Sequence, residues 1–128
     1  MCPANKANLA EIVDYPPDDK VNWPRAHDML HLQASYIMVL ENLMDLSHLS
    51  YLHKTSIGSS EADSANASMD VKPTARGIRF LRVMRGADAP PNWRKRYKTL
   101  KDRVDRWSDF EYVAPNVIMQ YSGGVNSG

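Results

Sequence analysis

Residues 35–52 read SYIMVLENLMDLSHLSYL, and the fold class turns on whether this apolar stretch is a strand or a helix. A strand of that length would be unusual. Ile37, Leu40, Met44 and Tyr51 fall at helical spacings, while Val39, Leu43 and Leu46 widen the stripe. The spacing predicts an amphipathic to nearly all-buried helix. Before it, His27 to Gln33 reads as a short strand, with Leu30 and Leu32 on one face and His31 and Gln33 on the other. After it, residues 55–68 are small and polar and mark a loop. Gly77 to Arg85 then alternates in part, Ile78, Phe80, Arg82 and Met84 opposing Arg79, Leu81, Val83 and Arg85. That pattern fits a strand covered on both sides, or an edge strand with long side chains.

Ala87 to Pro91 makes a turn, and Pro91 suits the first turn of a helix. That helix would carry Trp93, Tyr97, Leu100, Val104 and Trp107 at steps of four and three. Phe110 to Tyr121, rich in Val, Ile and aromatics, reads as a strand bent around Pro115. Residues 1–25, with Pro3, Pro16, Pro17 and Pro24 among Asp14, Asp18 and Asp19, form an irregular lead-in to a body spanning 26–128. The order strand, helix, strand, helix, strand predicts an α+β architecture.

Composition narrows the function classes. The chain has 128 residues, 16 Lys and Arg against 15 Asp and Glu, and a formal charge of +1. So balanced a charge argues against nucleic acid or an anionic membrane as main partner. A mean hydropathy of -0.50 and no long apolar run exclude a membrane span. One cysteine, Cys2, excludes an internal disulfide framework, a thiolate zinc site and an iron–sulfur cluster held by this chain. With no apolar leader, the expected location is cytoplasmic. The basic run Arg94 to Arg106 is expected to be a solvated helix face, with Trp93, Tyr97 and Trp107 on the opposite stripe. A reductase or adjacent subunit could dock there. Met29, Met38 and Met44 are expected to fill gaps in the core.

All four histidines lie between positions 27 and 53. The segment ENLMDLSHLSYLH sets Asn42, Asp45, His48 and His53 in an apolar context, where polar groups need a purpose. Imidazole is the commonest neutral metal ligand, so His48 and His53 are a plausible half-site. On an ideal helix they come out roughly 140° apart. They can therefore converge on one ion only if the helix ends or distorts, and Leu49 to His53 is the expected place. Two His supply only two ligands, whereas zinc catalysis usually needs three protein ligands and a non-haem Fe(II) site two His and a carboxylate. Asp45 could ligate, or hold a ring N–H from behind. The alternative is that both imidazoles hydrogen-bond to carbonyls in a packed core.

The arrangement Asn42-x2-Asp45-x2-His48-x4-His53 resembles the mononuclear-iron motif of Rieske-type non-haem iron oxygenases. Its wording, NLMDLSHLSYLH followed by a loop with Ile and Gly, is most similar to the vanillate O-demethylase oxygenase subfamily. FLRVMRGADAP and the Trp-rich passage after it are compatible with that subfamily's substrate domain. The resemblance runs from about Tyr15 onward and implies a partial helix-grip fold, an antiparallel sheet around a long helix. It implies His48 and His53 as ligands of Fe(II), Asp45 as the acidic bridge to a neighbouring subunit's Rieske cluster in a homotrimer, and Asn42 near the iron without ligating it. The family's third ligand is a downstream Asp beyond Gly128. Asp63, Asp70 and Asp109 do not occupy its position.

The implied chemistry is O2 activation with electrons from a reductase or ferredoxin. A small aromatic substrate would be attacked, as in hydroxylation of an aryl methyl ether's methyl carbon. The Cys and His pairs that hold a [2Fe-2S] cluster are absent, so that cluster is expected in a missing N-terminal domain or a partner subunit. The chain is thus expected to be a fragment, residues 26–128 being part of the catalytic domain, and inactive alone. Met44, Ile57, Phe80 and Trp107 are candidate pocket residues, with core packing the commoner role for each. The alternative function is a non-enzymatic helix-grip module for ligand binding or assembly.

Overall fold

The computed structural model describes Lys6, Asn8, Ala10, Val13 and residues 26–128. The lead-in expected over residues 1–25 therefore lies almost wholly outside the described residues, Cys2 with it. The chain forms two units, Met1–Gln33 and Ala34–Gly128. In the first, residues 26–32 have no regular secondary structure, so the strand expected over His27 to Gln33 does not form. Leu30 and Leu32 are exposed there, and among the described residues no strand pairs with the segment to complete a ladder.

In the second unit, Asp45 interrupts the long helix expected from the sequence. Helix α1 spans Tyr36–Met44, and the Asp45 backbone N–H closes it on the Glu41 carbonyl. A single 3-10 turn, Leu46–His48, follows, then a short helix α2, Leu49–Leu52. Helix α1 buries none of its residues: Tyr36, Ile37, Met38 and Leu43 are exposed. The expectation of a nearly all-buried helix fails because the break redirects the chain and only Met44, Leu46 and Leu49 reach the core. Of the methionines assigned to the core, Met29 and Met38 are exposed and Met44 is packed. The polar stretch 55–68 contains helix α3, Glu61–Ala65, whose first turn is capped by the Ser60 hydroxyl accepting from the Asp63 N–H.

The four strands are β1 (Ser68–Pro73), β2 (Gly77–Asp88), β3 (Arg103–Val113) and β4 (Val117–Asn126). They form one antiparallel meander in the order β1-β2-β3-β4, which gives the predicted α+β class. Strand β2 is the predicted one, extended to Asp88. Pro91 opens helix α4 as expected, but α4 spans only Pro91–Arg96. The helix expected to run on to Trp107 gives way to β3, because Val104, Arg106, Ser108 and Phe110 alternate inward with period two. The bend at Pro115 is a hairpin turn between β3 and β4, where the Tyr112 hydroxyl donates to the Pro115 carbonyl at 2.9 Å.

The inward face centres on Phe80 and Phe110, directly opposed in the register and stacked with centroids 4.9 Å apart. Leu46 completes the buried cluster, with Met44, Leu49 and Ile118 packed around it. That contact fixes the turn bearing Asp45 and His48 over the sheet. Between Met84 and Ala87 the β2–β3 register shifts in a bulge. Gly86 takes the left-handed conformation there, φ +53°, and its N–H donates to the Asp105 carboxylate at 2.7 Å.

Candidate metal centre

Asp45 has two structural tasks at once. Its backbone ends α1, and its carboxylate accepts the Ser47 N–H at 2.8 Å, capping the turn that carries His48. Hydrogen bonds from Ser47 hold the carboxyl below the usual Asp range, and the charges of His48 and Arg82 act in the same direction. Helix α2 then ends at Leu52, and His53 leaves it with φ -114° and ψ 23°. The helix thus ends inside the window predicted from the geometry of the two histidines, with the break at Asp45 added.

These two departures bring the imidazoles together. The ring centroids of His48 and His53 are 5.3 Å apart with the planes inclined at 66°. Two rings sharing one cation through bonds of about 2.1 Å would have centroids about 5 Å apart. Nδ1 of His48 is buried and has no hydrogen-bond partner among the described residues. A buried polar atom left unpaired in this way is costly, and a cation would satisfy it. The alternative of a core histidine bonded to a carbonyl finds no support at that nitrogen.

The loop beyond is built back onto His53. Its carbonyl accepts the N–H groups of Ser56 and Gly58, at 3.0 and 2.9 Å. A side chain on Gly58 would stand 2.3 Å from the Leu49 carbonyl, so this close approach requires glycine.

Asn42 is exposed on α1. Among the described residues no group of three His, Cys, Asp or Glu side chains is placed to hold an ion. The three other candidate carboxylates each have a basic partner. Asp63 pairs with Arg103, Asp70 with Lys72 and Asp109 with Arg79. Among the described residues the two histidines therefore stand as a pair, with no third possible ligand grouped with them.

The four candidate pocket residues do not share one surface. Phe80 is in the core stack with Met44 against it, whereas Trp107 lies on the opposite face of β3, opposite Gly123, and is partly exposed. Ile57 is exposed, and its carbonyl accepts from both terminal nitrogens of Arg106 at 3.3 Å. Sequence reasoning placed Arg106 on a solvated helix face; instead it is an inward residue of β3, 7% exposed. Its guanidinium carbon sits 5.4 Å from the Trp93 ring centroid. Arg82 on β2 is buried as well, at 6%. A cavity of about 420 Å³ opens beside Gly58, lined among others by Lys54, Ser59, Ser60 and Arg94. Arg94 is already bound there to the Ala89 carbonyl and to Asp102.

Residues 32–128 match the family model described as the vanillate O-demethylase oxygenase C-terminal domain. The chain belongs to this family. It is 35% identical over 112 residues to the vanillate O-demethylase oxygenase subunit of Pseudomonas sp. (strain ATCC 19151), covering 83% of this chain and 33% of the relative. It is 32% identical over 114 residues to the same subunit of Pseudomonas sp. (strain HR199 / DSM 7063), covering 86% and 32%. The toluene-4-sulfonate monooxygenase system iron-sulfur subunit of Comamonas testosteroni is 27% identical over 123 residues, covering 96% and 35%. The chain spans about a third of the length of the curated relatives it matches. No solved structure matches it significantly. Among the described residues no helix is long and apolar enough to cross a membrane.

Proposed function

We propose that this chain is part of the catalytic domain of a Rieske-type oxygenase, and that His48 and His53 are two imidazole ligands of a mononuclear Fe(II). One observation carries the reading. The two ring centroids lie 5.3 Å apart where their helix ends, with Nδ1 of His48 buried and without a partner among the described residues. The family match and the relatives' names support the oxygenase class.

When bound, Fe(II) supplies O2 activation at the positions its protein ligands leave open. The chain's own residues hold and orient. Asp45 fixes the turn that presents His48, and its carboxylate is the bridge toward a neighbouring subunit's cluster in a homotrimer. Leu46 seats that turn on the Phe80–Phe110 stack. Asn42 lies near the site without ligating. The third ligand and the [2Fe-2S] cluster come from outside the described residues, and a reductase or ferredoxin supplies electrons in the cytoplasm. The relatives are named for vanillate and toluene-4-sulfonate, each a benzene ring bearing an acid group. The substrate here is accordingly an aromatic acid, attacked at a ring substituent such as a methyl ether.

Anaerobic titration with Fe(II) tests the ligand assignment. The chain should bind about one ion, and His48→Ala or His53→Ala should weaken it. Unchanged binding in both variants would refute the assignment. The chain alone, supplied only with a reductase, should release no formaldehyde from an aryl methyl ether.

A further inference from the structure

We propose that Arg82 and Arg106 form a buried binding site for the acid group, carboxylate or sulfonate, of the aromatic substrate. The proposal rests on the reading above and deepens it.

The two residues stand on the inward face of the sheet. Arg82 lies opposite Ser108 in the register, and Arg106 is two positions from Ser108 on the same strand, which makes the arginines diagonal neighbours. Both are more than nine-tenths buried. Among the described residues, Arg79, Arg85, Arg94 and Arg103 each pair with an aspartate; of the arginines with no carboxylate within ion-pair distance, Arg76 and Arg96 are exposed, whereas Arg82 and Arg106 are buried.

Only neutral acceptors meet them. Arg82 uses one terminal nitrogen on Ser64, at 2.6 Å to the hydroxyl and 3.3 Å to the carbonyl. Arg106 spends both terminal nitrogens on the one Ile57 carbonyl, and its Nε is buried without a partner. Burying two guanidinium ions without an anion paired to either is costly, and the two repel one another. Burial, aided by the charge of Arg82, pushes Arg106 down to about 10. Such a pair lacks an anion.

Asp45 does not fill that role. It is within electrostatic reach of Arg82, but it forms no ion pair with either arginine, and its Oδ1 accepts from Ser47. Arg106 in turn holds the Ile57 carbonyl, next to Gly58, whose N–H returns to the His53 carbonyl. What suits two forked donors is a compact planar or tetrahedral oxyanion that can accept from both. Held there, an aromatic acid is tethered by its charged end near the paired imidazoles.

Calorimetric titration of the metal-free 128-residue chain tests the idea, using 4-methoxybenzoate, toluene-4-sulfonate, uncharged 4-methoxybenzamide and inorganic sulfate. Both aryl acids should bind about tenfold or more tightly than the amide. Arg82→Gln and Arg106→Gln should each erase most of that preference without altering amide binding. Equal binding of acid and amide, a preference surviving both substitutions, or sulfate binding as tightly as the aryl acids would each overturn the proposal. Thermal melting of the unsubstituted chain gives a second readout should the variants not fold. Methoxybenzoate should raise Tm with concentration while the amide does not, and no rise counts against the site. No iron is present, so failure here leaves the histidine assignment standing. Lost iron binding with the acid preference intact would remove only the histidine assignment.

Discussion

Trp93 occupies the space left by the missing side chain of Gly124. A Cβ at position 124 would stand 2.6 Å from Cζ3 of the indole and 3.0 Å from the Asp105 carbonyl. The indole in turn lies beneath the guanidinium of Arg106. Glycine on β4 therefore sets the position of an aromatic ring on α4, and that ring supports a buried cation on β3. Gly124→Ala should destabilise the fold by about 1–3 kcal/mol in urea denaturation. A change near zero would show that the indole can move aside freely.

Leu46 connects the sheet to the histidine turn, so its truncation should have two effects. Leu46→Ala removes a buried member of the Phe80–Phe110 cluster and should cost about 2–5 kcal/mol of stability. It should also weaken Fe(II) binding in the titration described above, because the turn holding His48 loses its seat. Ile118→Val, at the margin of the same cluster, should cost about 0.5–1.5 kcal/mol and leave iron binding alone.

Asp45 can be divided into cap and charge. Asparagine caps as well as aspartate, whereas alanine does not. In urea denaturation Asp45→Asn should keep the wild-type unfolding free energy within a few tenths of a kcal/mol, and Asp45→Ala should lose about 1 kcal/mol. Equal losses in both variants would mean that the charge, and not the cap, holds the turn.

A pH effect follows from Asp63. Burial works to raise this carboxyl, but the Asp88 N–H at 2.8 Å, the bond with Ser60 and the fork of Arg103 outweigh it and hold it below the usual range. A depressed carboxylate contributes stability above its unfolded value, about 3.9, and that contribution is lost as pH falls through the lower folded value. Urea midpoints measured from pH 7 downward should stay level to about pH 4 and then drop. Asp63→Asn should lower the plateau and flatten the drop, and an unchanged profile would exclude Asp63 as a cause.

The nearness of His48 and His53 was legible because the two are close together in sequence and chemically out of place among Leu and Met. Strand β2 was legible from Ile78, Phe80 and Met84. What misled was β3. Trp93, Tyr97, Leu100, Val104 and Trp107 fall at helical steps by coincidence, while two of the inward positions of the real strand are Arg106 and Ser108. A polar pair in the buried row hides a period of two, since that signal is read from apolar residues. Strand β1 was missed for a related reason: it is wholly exposed, and only its pairing with β2 makes it a strand. Arg82 already lined up with Ile78, Phe80 and Met84 in the sequence, whereas Arg106 comes to light only once Val104, Ser108 and Phe110 are aligned with it on one face.

Strand β1 bounds the sheet, and on its outer side no other strand among the described residues takes up its amides and carbonyls. Its six residues, SMDVKP, are all exposed and include Lys72 and Pro73, devices that usually keep such a rim from recruiting another molecule. With Lys72→Thr and Pro73→Thr together, this polypeptide should clump rim to rim in concentrated solution, and turbidity should grow more steeply than in proportion to the amount dissolved.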